Sequence, residues 1–348
     1  MGNIPEQAFF VREPAWHGVG AVLDDYPGRE EAMRLAGHDF DVVELDELRV
    51  AVPNVVLAGA NLSINPDGNG FLKAVKGWKV HVRSDDPSCV LNVSKESYQA
   101  IPNRVAYDFA EALLDQGFKY DAGITMDGGR QNAITLLLDE PITITGDNST
   151  TLPYYACSWS HDGSGSLKGR STSVRNVCQN TVSASEAEGK RLGTDFTIRH
   201  TKNWRDYVED AKKAIQGARA SLNTYQVEME RLAAIPITHE QRDLFISEIL
   251  GETVNFRPVA STSVASKRVQ TNVHNERTKI TRLFFGETIP EAHALTGYGL
   301  HLAGVEYFDH LRAYRSKESY VKRTILTDNP AKASLVRTID KLSELATV

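Results

Sequence analysis

Apolar and polar positions alternate through much of the first half of the chain, and a longer rhythm replaces that pattern near residue 204. Residues 41–95 contain DVVELDELRVAV, FLKAVKGWKVHVRS and SCVLNVS, with the turn-rich stretches NPDGNG and SDDPS between them. A period of two sends successive side chains to opposite faces, so these runs predict strands joined by turns. From Lys119 come KYDAGITM, NAITLLLDEPITI and LPYYACSWS, separated by DGG and GDNST. Consecutive strands with short connections pair antiparallel, which predicts a meander. Between the two β regions, NRVAYDFAEALLDQG (103–117) predicts a helix. Val105, Phe109, Ala112 and Leu113 share one face of it, and Gly117 stands at its stop. Residues 1–40 are irregular, with a short helix expected at Glu30–Ala36. After the meander, SVRNVCQNTVSASEAEG (173–189) reads as a helix and DFTIRHT (195–201) as a short strand.

The second rhythm runs through Trp204, Val208, Ala211, Ile215, Ala218, Leu222, Tyr225, Met229 and Leu232, in alternating steps of four and three. That is a heptad seam, and it predicts one long helix over 203–234, stopped before Pro236. Such a helix needs a partner along its seam. Either the following segments fold back on it, or a second subunit covers it. Shorter helices are expected in THEQRDLFISEILG, NERTKITRLFFG and LHLAGVEYFDHLRAYR. The expected class is therefore α+β. A β-rich domain with an antiparallel meander plus helix covers 1–200, and a helical domain covers 201–348.

Composition changes the picture in one respect. The net charge of −6 is unevenly spread: residues 1–160 hold 12 Lys+Arg against 23 Asp+Glu, and residues 161–348 hold 27 against 22. An anionic partner, if one exists, meets the second half. The three cysteines, Cys89, Cys157 and Cys178, are odd in number and widely spaced, with no C-x-x-C. This points to a reducing compartment, and away from a disulfide framework or a structural zinc. MGNIPEQAFF lacks the basic and apolar regions of a signal peptide. No apolar run approaches the roughly 18 residues of a membrane helix. No membrane partner, metal or cofactor is expected.

The stretch HDGSGSLKGRSTSVRNVCQNT (161–181) concentrates glycines, hydroxyls, Lys168, Arg170 and Arg175, with no acid from Gly163 onward. It is not a Walker loop, because five residues rather than four lie between Gly163 and Gly169, and Arg170 follows where lysine is required. A nucleophile reading takes Cys178 with His161 as base and Asp162 or Asn180 to orient it; a buried structural thiol is the plainer account of Cys178. A basic loop remains: cations attract phosphate, and hydroxyls and backbone N–H groups bond to it. Two further stretches resemble it. Arg257–Arg282 holds six Lys+Arg, among them Lys267, Arg268, Arg277, Lys279 and Arg282, and one acid. In His310–Arg323, Tyr314 and Tyr320 interleave with Arg312, Arg315, Lys317, Lys322 and Arg323. Basic residues with aromatics suit single-stranded nucleic acid, because every base has a face to stack on.

Several blocks in order carry a family resemblance: Trp16-His17-Gly18-Val19-Gly20, SKESYQAIPNRVAYDFAEALLDQG, SHDGSGSLKGRSTSVRNVCQNT and GYGLHLAGVEYFDHLR. Together they resemble the phage- and plasmid-associated family of unknown function number 932. The resemblance implies a phage, prophage or plasmid context and action in the cytoplasm of a bacterial host cell. The segment 118–188, a meander followed by a helix, is also similar to the core of single-strand annealing proteins of the Rad, Erf and Red-beta type. Such proteins act as oligomers, hold a strand in a basic groove, and need no metal, nucleotide or nucleophile.

The expected function is thus single-stranded DNA binding and annealing in recombination or replication, without catalysis, by a homo-oligomer. Lys168, Arg170 and Arg175 are expected to clamp the backbone, with Lys267, Arg268, Arg277, Lys279 and Arg282 as a second rail. His161, Asp162 and Asn180 are expected to shape the loop through bonds to the backbone. The alternatives are a phage assembly component or a protein that binds a host or phage replication factor, and, third, a cysteine-dependent enzyme.

Overall fold

A computed structural model describes residues 5–11, 20–46, 48–52, 71–175, 180–182, 195–251, 264–286, 288–312, 331 and 334–344. Along the first part of the chain come β1 (Pro5–Val11), β2 (Ala21–Leu23), α1 (Arg29–Ala36), β3 (Val42–Leu45), β4 (Leu48–Val52), β5 (Phe71–Val75), β6 (Trp78–Arg83), β7 (Val90–Lys95) and α2 (Asn103–Leu114). The meander follows as β8 (Phe118–Met126), β9 (Gln131–Leu138), β10 (Thr151–Ser160) and β11 (Leu167–Arg175), then β12 (Asn180–Val182) and β13 (Phe196–Ile198). The helical part holds α3 (Val208–Ile215), α4 (Ala218–Ala233), α5 (His239–Ile249), α6 (Val264–Leu283), α7 (Gly297–Glu306) and α8 (Leu335–Glu344). The protein is α+β.

The main sheet has the order β12-β11-β10-β9-β8-β1-β2, and β13 shares the outer edge of β11 with β12. The meander pairs antiparallel throughout, as its short turns require. Helices α1 and α2 lie on one face. Tyr155, Cys157 and Trp159 of β10 and Ile134, Leu136 and Leu138 of β9 point into that layer, as a period of two dictates. In β8 the register shifts between Tyr120 and Ala122. The extra residue, Asp121, moves the alternation on by one. Tyr120 therefore faces the helices, while Ala122, Ile124 and Met126 join Ala8, Phe10 and Ala133 on the opposite face.

The shift also brings Gly123 beneath α1. A Cβ there would sit 2.6 Å from a Phe9 ring carbon and 2.7 Å from the Ala36 Cβ. Gly123→Ala should cost about 1–3 kcal/mol through overpacking, read as a lower urea midpoint at unchanged slope.

Two expectations are corrected here. The helix expected over 173–189 does not form in its described part: Ser173 to Arg175 continue β11, and Asn180 to Val182 form β12, with Val174 opposite Thr181. β-branched residues suit this ladder better than a helix. The long helix over 203–234 is a 3-10 turn at Trp204–Tyr207, then α3, then α4, with Gln216 and Gly217 between the last two. Glycine lowers helix propensity at that point.

The seam itself is buried within the chain, and its length serves two cores. Trp204, Ala211, Ile215, Ala218 and Leu222 complete the core over the sheet. Tyr225, Met229 and Leu232 enter a second core, with α7 packed against α4, α5, α6 and α8. Every residue of α7 is buried. That second core also takes in Ile142 and Ile144 from the connection between β9 and β10. Beside the main sheet stand a three-stranded sheet, β3-β6-β7, and the ribbon β4-β5.

Candidate nucleic-acid interface

The loop after β10 is built on a buried corner. The Asn103 side chain is buried and uses all of its bonding capacity. Its amide donates to the carbonyls of His38 (3.0 Å) and Phe40 (3.1 Å), and its oxygen accepts from Trp159 Nε1 (2.8 Å). The same oxygen lies 2.7 Å from His161 Nε2. An amide oxygen only accepts, so His161 carries a proton on Nε2. Burial, reinforced by nearby His200 and His38, lowers its pKa to about 3. His38 is fixed in the same way: Nε2 donates to the Ile124 carbonyl at 3.0 Å, and Nδ1 accepts from the Tyr107 hydroxyl at 2.9 Å. Burial lowers its pKa to about 3 as well. His81 and His200 are also buried and also lowered, again mainly by burial. Among the described residues no three His, Cys, Asp or Glu side chains are arranged to hold a metal.

Asp162 then closes the turn. Its carboxylate accepts from the Ser164 N–H at 2.8 Å and from Gln131 Nε2 at 3.1 Å, and Ser160 Oγ accepts from the Gly165 N–H at 2.8 Å. Burial pushes the Asp162 carboxyl up, and these hydrogen bonds outweigh it, leaving the group below its ordinary range. Gly163 has φ +78°, a region other residues rarely adopt. Asn180 opens β12 opposite Arg175. Its side chain lies outside the described residues.

Lys168 and Arg170 stand on one face of β11, opposite Ser158 and Ala156. Lys168 is half-buried and pairs with no acid among the described residues. Arg170 is 6 % exposed, so within this chain its guanidinium belongs to the interior. Arg175 lies opposite Thr151 in the ladder. Its side chain, and all of Cys178, lie outside the described residues.

The second rail falls on α6, which presents an uneven surface. Ile280 and Leu283 anchor it in the second core. Arg277 donates to Ser247 Oγ at 2.6 Å and to the Asp243 carbonyl at 3.4 Å, tying α6 to α5. Lys279 pairs with Glu276 at 2.6 Å. Thr271, Asn272, His274, Asn275 and Arg282 are exposed, and Arg282 pairs with no acid among the described residues. Lys267 and Arg268 lie on the same helix, with side chains outside the described residues. The third basic stretch is outside them beyond Arg312, whose guanidinium lies 5.7 Å from the Phe308 ring centroid.

Sequence reasoning passed over the end of α6. Phe284 is buried, with the Arg242 guanidinium 5.7 Å from its ring centroid, and Phe285 is 77 % exposed. The signal was the pair Phe284-Phe285 before Gly286, directly after the basic run.

The fold thus defines an α+β protein with a long antiparallel meander and a helix layer. The family model described as a domain of unknown function, DUF932, matches residues 90–327, more than half of the chain, and the chain belongs to that family. The matched range holds the blocks at 94–117, 160–181 and 297–312; Trp16–Gly20 precedes it. No curated protein and no solved structure matched the chain. No helix among the described residues is long and apolar enough to cross a membrane.

Proposed function

We propose that this protein binds single-stranded DNA and anneals it, as an oligomer, in the recombination or replication of a phage or related element. The observation that carries the reading is α6. Its sequence holds five Lys+Arg against one acid, that acid is already paired with Lys279, and among its described side chains the exposed ones are Thr271, Asn272, His274, Asn275 and Arg282. Cations with small hydrogen-bonding neighbours suit a phosphate backbone, and such contacts position a strand without reading its sequence. Lys168 on β11 is a second contact point. The meander alone keeps its resemblance to annealing proteins, an analogy of fold that by itself does not carry function.

The test is anisotropy of a labelled oligonucleotide, single- and double-stranded, across a salt series. Each phosphate neutralised on a single strand contributes about −0.7 to the log–log slope, so a slope of roughly −3 or steeper with single-strand preference is expected. Arg282→Glu should flatten the slope by about one such increment and weaken binding to every sequence alike. Absence of binding at low salt by the unaltered protein would refute the reading.

A second reading has one observation of its own. The sheet β3-β6-β7 carries Val43, Leu45, Trp78, Val90 and Val93, each 36–45 % exposed. An apolar sheet face suits a protein partner, as an assembly component or a binder of a replication factor requires.

A further inference from the structure

We propose that Phe285 is the base-stacking residue of the α6 surface and the origin of its preference for unpaired bases. This rests on the nucleic-acid reading of α6 and goes beyond it, because cations alone bind single and double strands.

Phe284 and Phe285 are adjacent and have opposite fates. Phe284 is buried in the second core at 5 % exposure; Phe285 is 77 % exposed, the most exposed large apolar side chain among the described residues. The turn that separates them is tight. The N–H groups of Phe284, Phe285 and Gly286 bond to the carbonyls of Thr281, Arg282 and Leu283, at 3.3, 3.1 and 3.2 Å. With Phe284 held in the core, this turn keeps Phe285 outside.

A lone exposed apolar residue is ordinary. Its surroundings make this one different. Arg282 is exposed, pairs with no acid among the described residues, and precedes Phe285 by three residues, the spacing that puts side chains on one face. Upstream on α6, among the described side chains, the exposed ones are Thr271, Asn272, His274 and Asn275, all able to bond to phosphate or sugar. A phosphate on Arg282 would bring the attached base toward the Phe285 ring. In a duplex the base faces are already stacked, so the ring rewards only a strand whose bases are free. A protein partner would also cover Phe285, but it would give no reason for an exposed arginine on the same face and a run of exposed polar side chains upstream.

The experiment compares the full-length protein with Phe285→Ala and Phe285→Trp, on an oligonucleotide and on the same oligonucleotide made abasic. Phe285→Ala should lose roughly ten-fold in affinity for the intact single strand. It should lose nothing on the abasic strand or the duplex, at unchanged salt slope and unchanged melting temperature. Phe285→Trp should retain binding and show additional tryptophan quenching when the intact strand is added. Equal binding of intact strand by Phe285→Ala and the unaltered protein would overturn the assignment while leaving the α6 reading in place, and a change confined to oligomeric state would assign Phe285 to a protein contact instead. No binding by the unaltered protein at low salt would overturn both.

Discussion

Asn103→Ala is expected to remove about 4–6 kcal/mol of folding free energy, because it leaves four buried groups without partners at roughly 1–3 kcal/mol each, less what entering water recovers. The four are the Trp159 and His161 ring N–H groups and the carbonyls of His38 and Phe40. These groups come from β10, the HDGS turn and the segment after α1, so one amide joins three parts of the chain. Most single substitutions cost nearer 1 kcal/mol. Urea unfolding measures the difference. A loss below about 1.5 kcal/mol would mean that the network repairs itself, and the corner would not depend on Asn103.

Mild acid is expected to act on the same corner. His38 and His161 have folded pKa values of about 3, and an unfolded histidine titrates near 6.5. The unfolded chain therefore takes up protons that the folded chain refuses between those limits. Stability is full above about pH 6.5 and falls as the pH drops toward 3. At pH 5 the two histidines together remove about 4 kcal/mol, and near pH 4 about 7. His81 and His200 are lowered too and act in the same direction. Two carboxylates near the cluster, Asp162 and Glu44, favour the charged form of the imidazoles, while Arg83 opposes it at His38. Thermal unfolding between pH 8 and 4.5 reads the effect. A melting temperature flat from pH 7 to 5 would contradict it, and His161→Gln should remove about one proton from the slope.

Much of the fold was legible because local pattern and final structure agree. The meander was visible in its alternation, α2 in its apolar face, and the buried stripe of α3 and α4 in its four-three steps. The failures have physical causes. Gly217 divides the seam, and a count of apolar positions is blind to that break. The stretch 173–182 carried a helical-looking spacing, but a free edge of β11 was available to pair with it, and sheet pairing is a property of the partner rather than of the segment. The bulge at Asp121 left no mark in sequence, although it decides which face of β8 meets α1.

The candidate site was legible in charge and not in exposure. Arg170 and Lys168 looked alike as cations, yet the fold buries one and leaves the other half-open. Arg277 and Lys279 looked free, yet Ser247 and Glu276 hold them. Phe285 needed the structure, because only packing tells which ring of an adjacent pair turns outward. His161 and Asp162 were expected to bond to backbone. Asp162 does so through Ser164, while His161 is held by the Asn103 side chain, 58 residues away in sequence.

The run formed by α3 and α4 has a mechanical consequence. It is one continuous run of chain, and its two ends are cemented into different cores. A chain cut after residue 200 would keep the sheet but lose Trp204, Ala211, Ile215 and Leu222, leaving the side of α2 that meets α3 open to water. The remaining fragment would lose Ile142 and Ile144 from its own interior. Neither piece can be lifted out whole, so calorimetry should record one melting event for both cores, and amides in α3 and α4 should exchange with solvent only when the entire molecule opens.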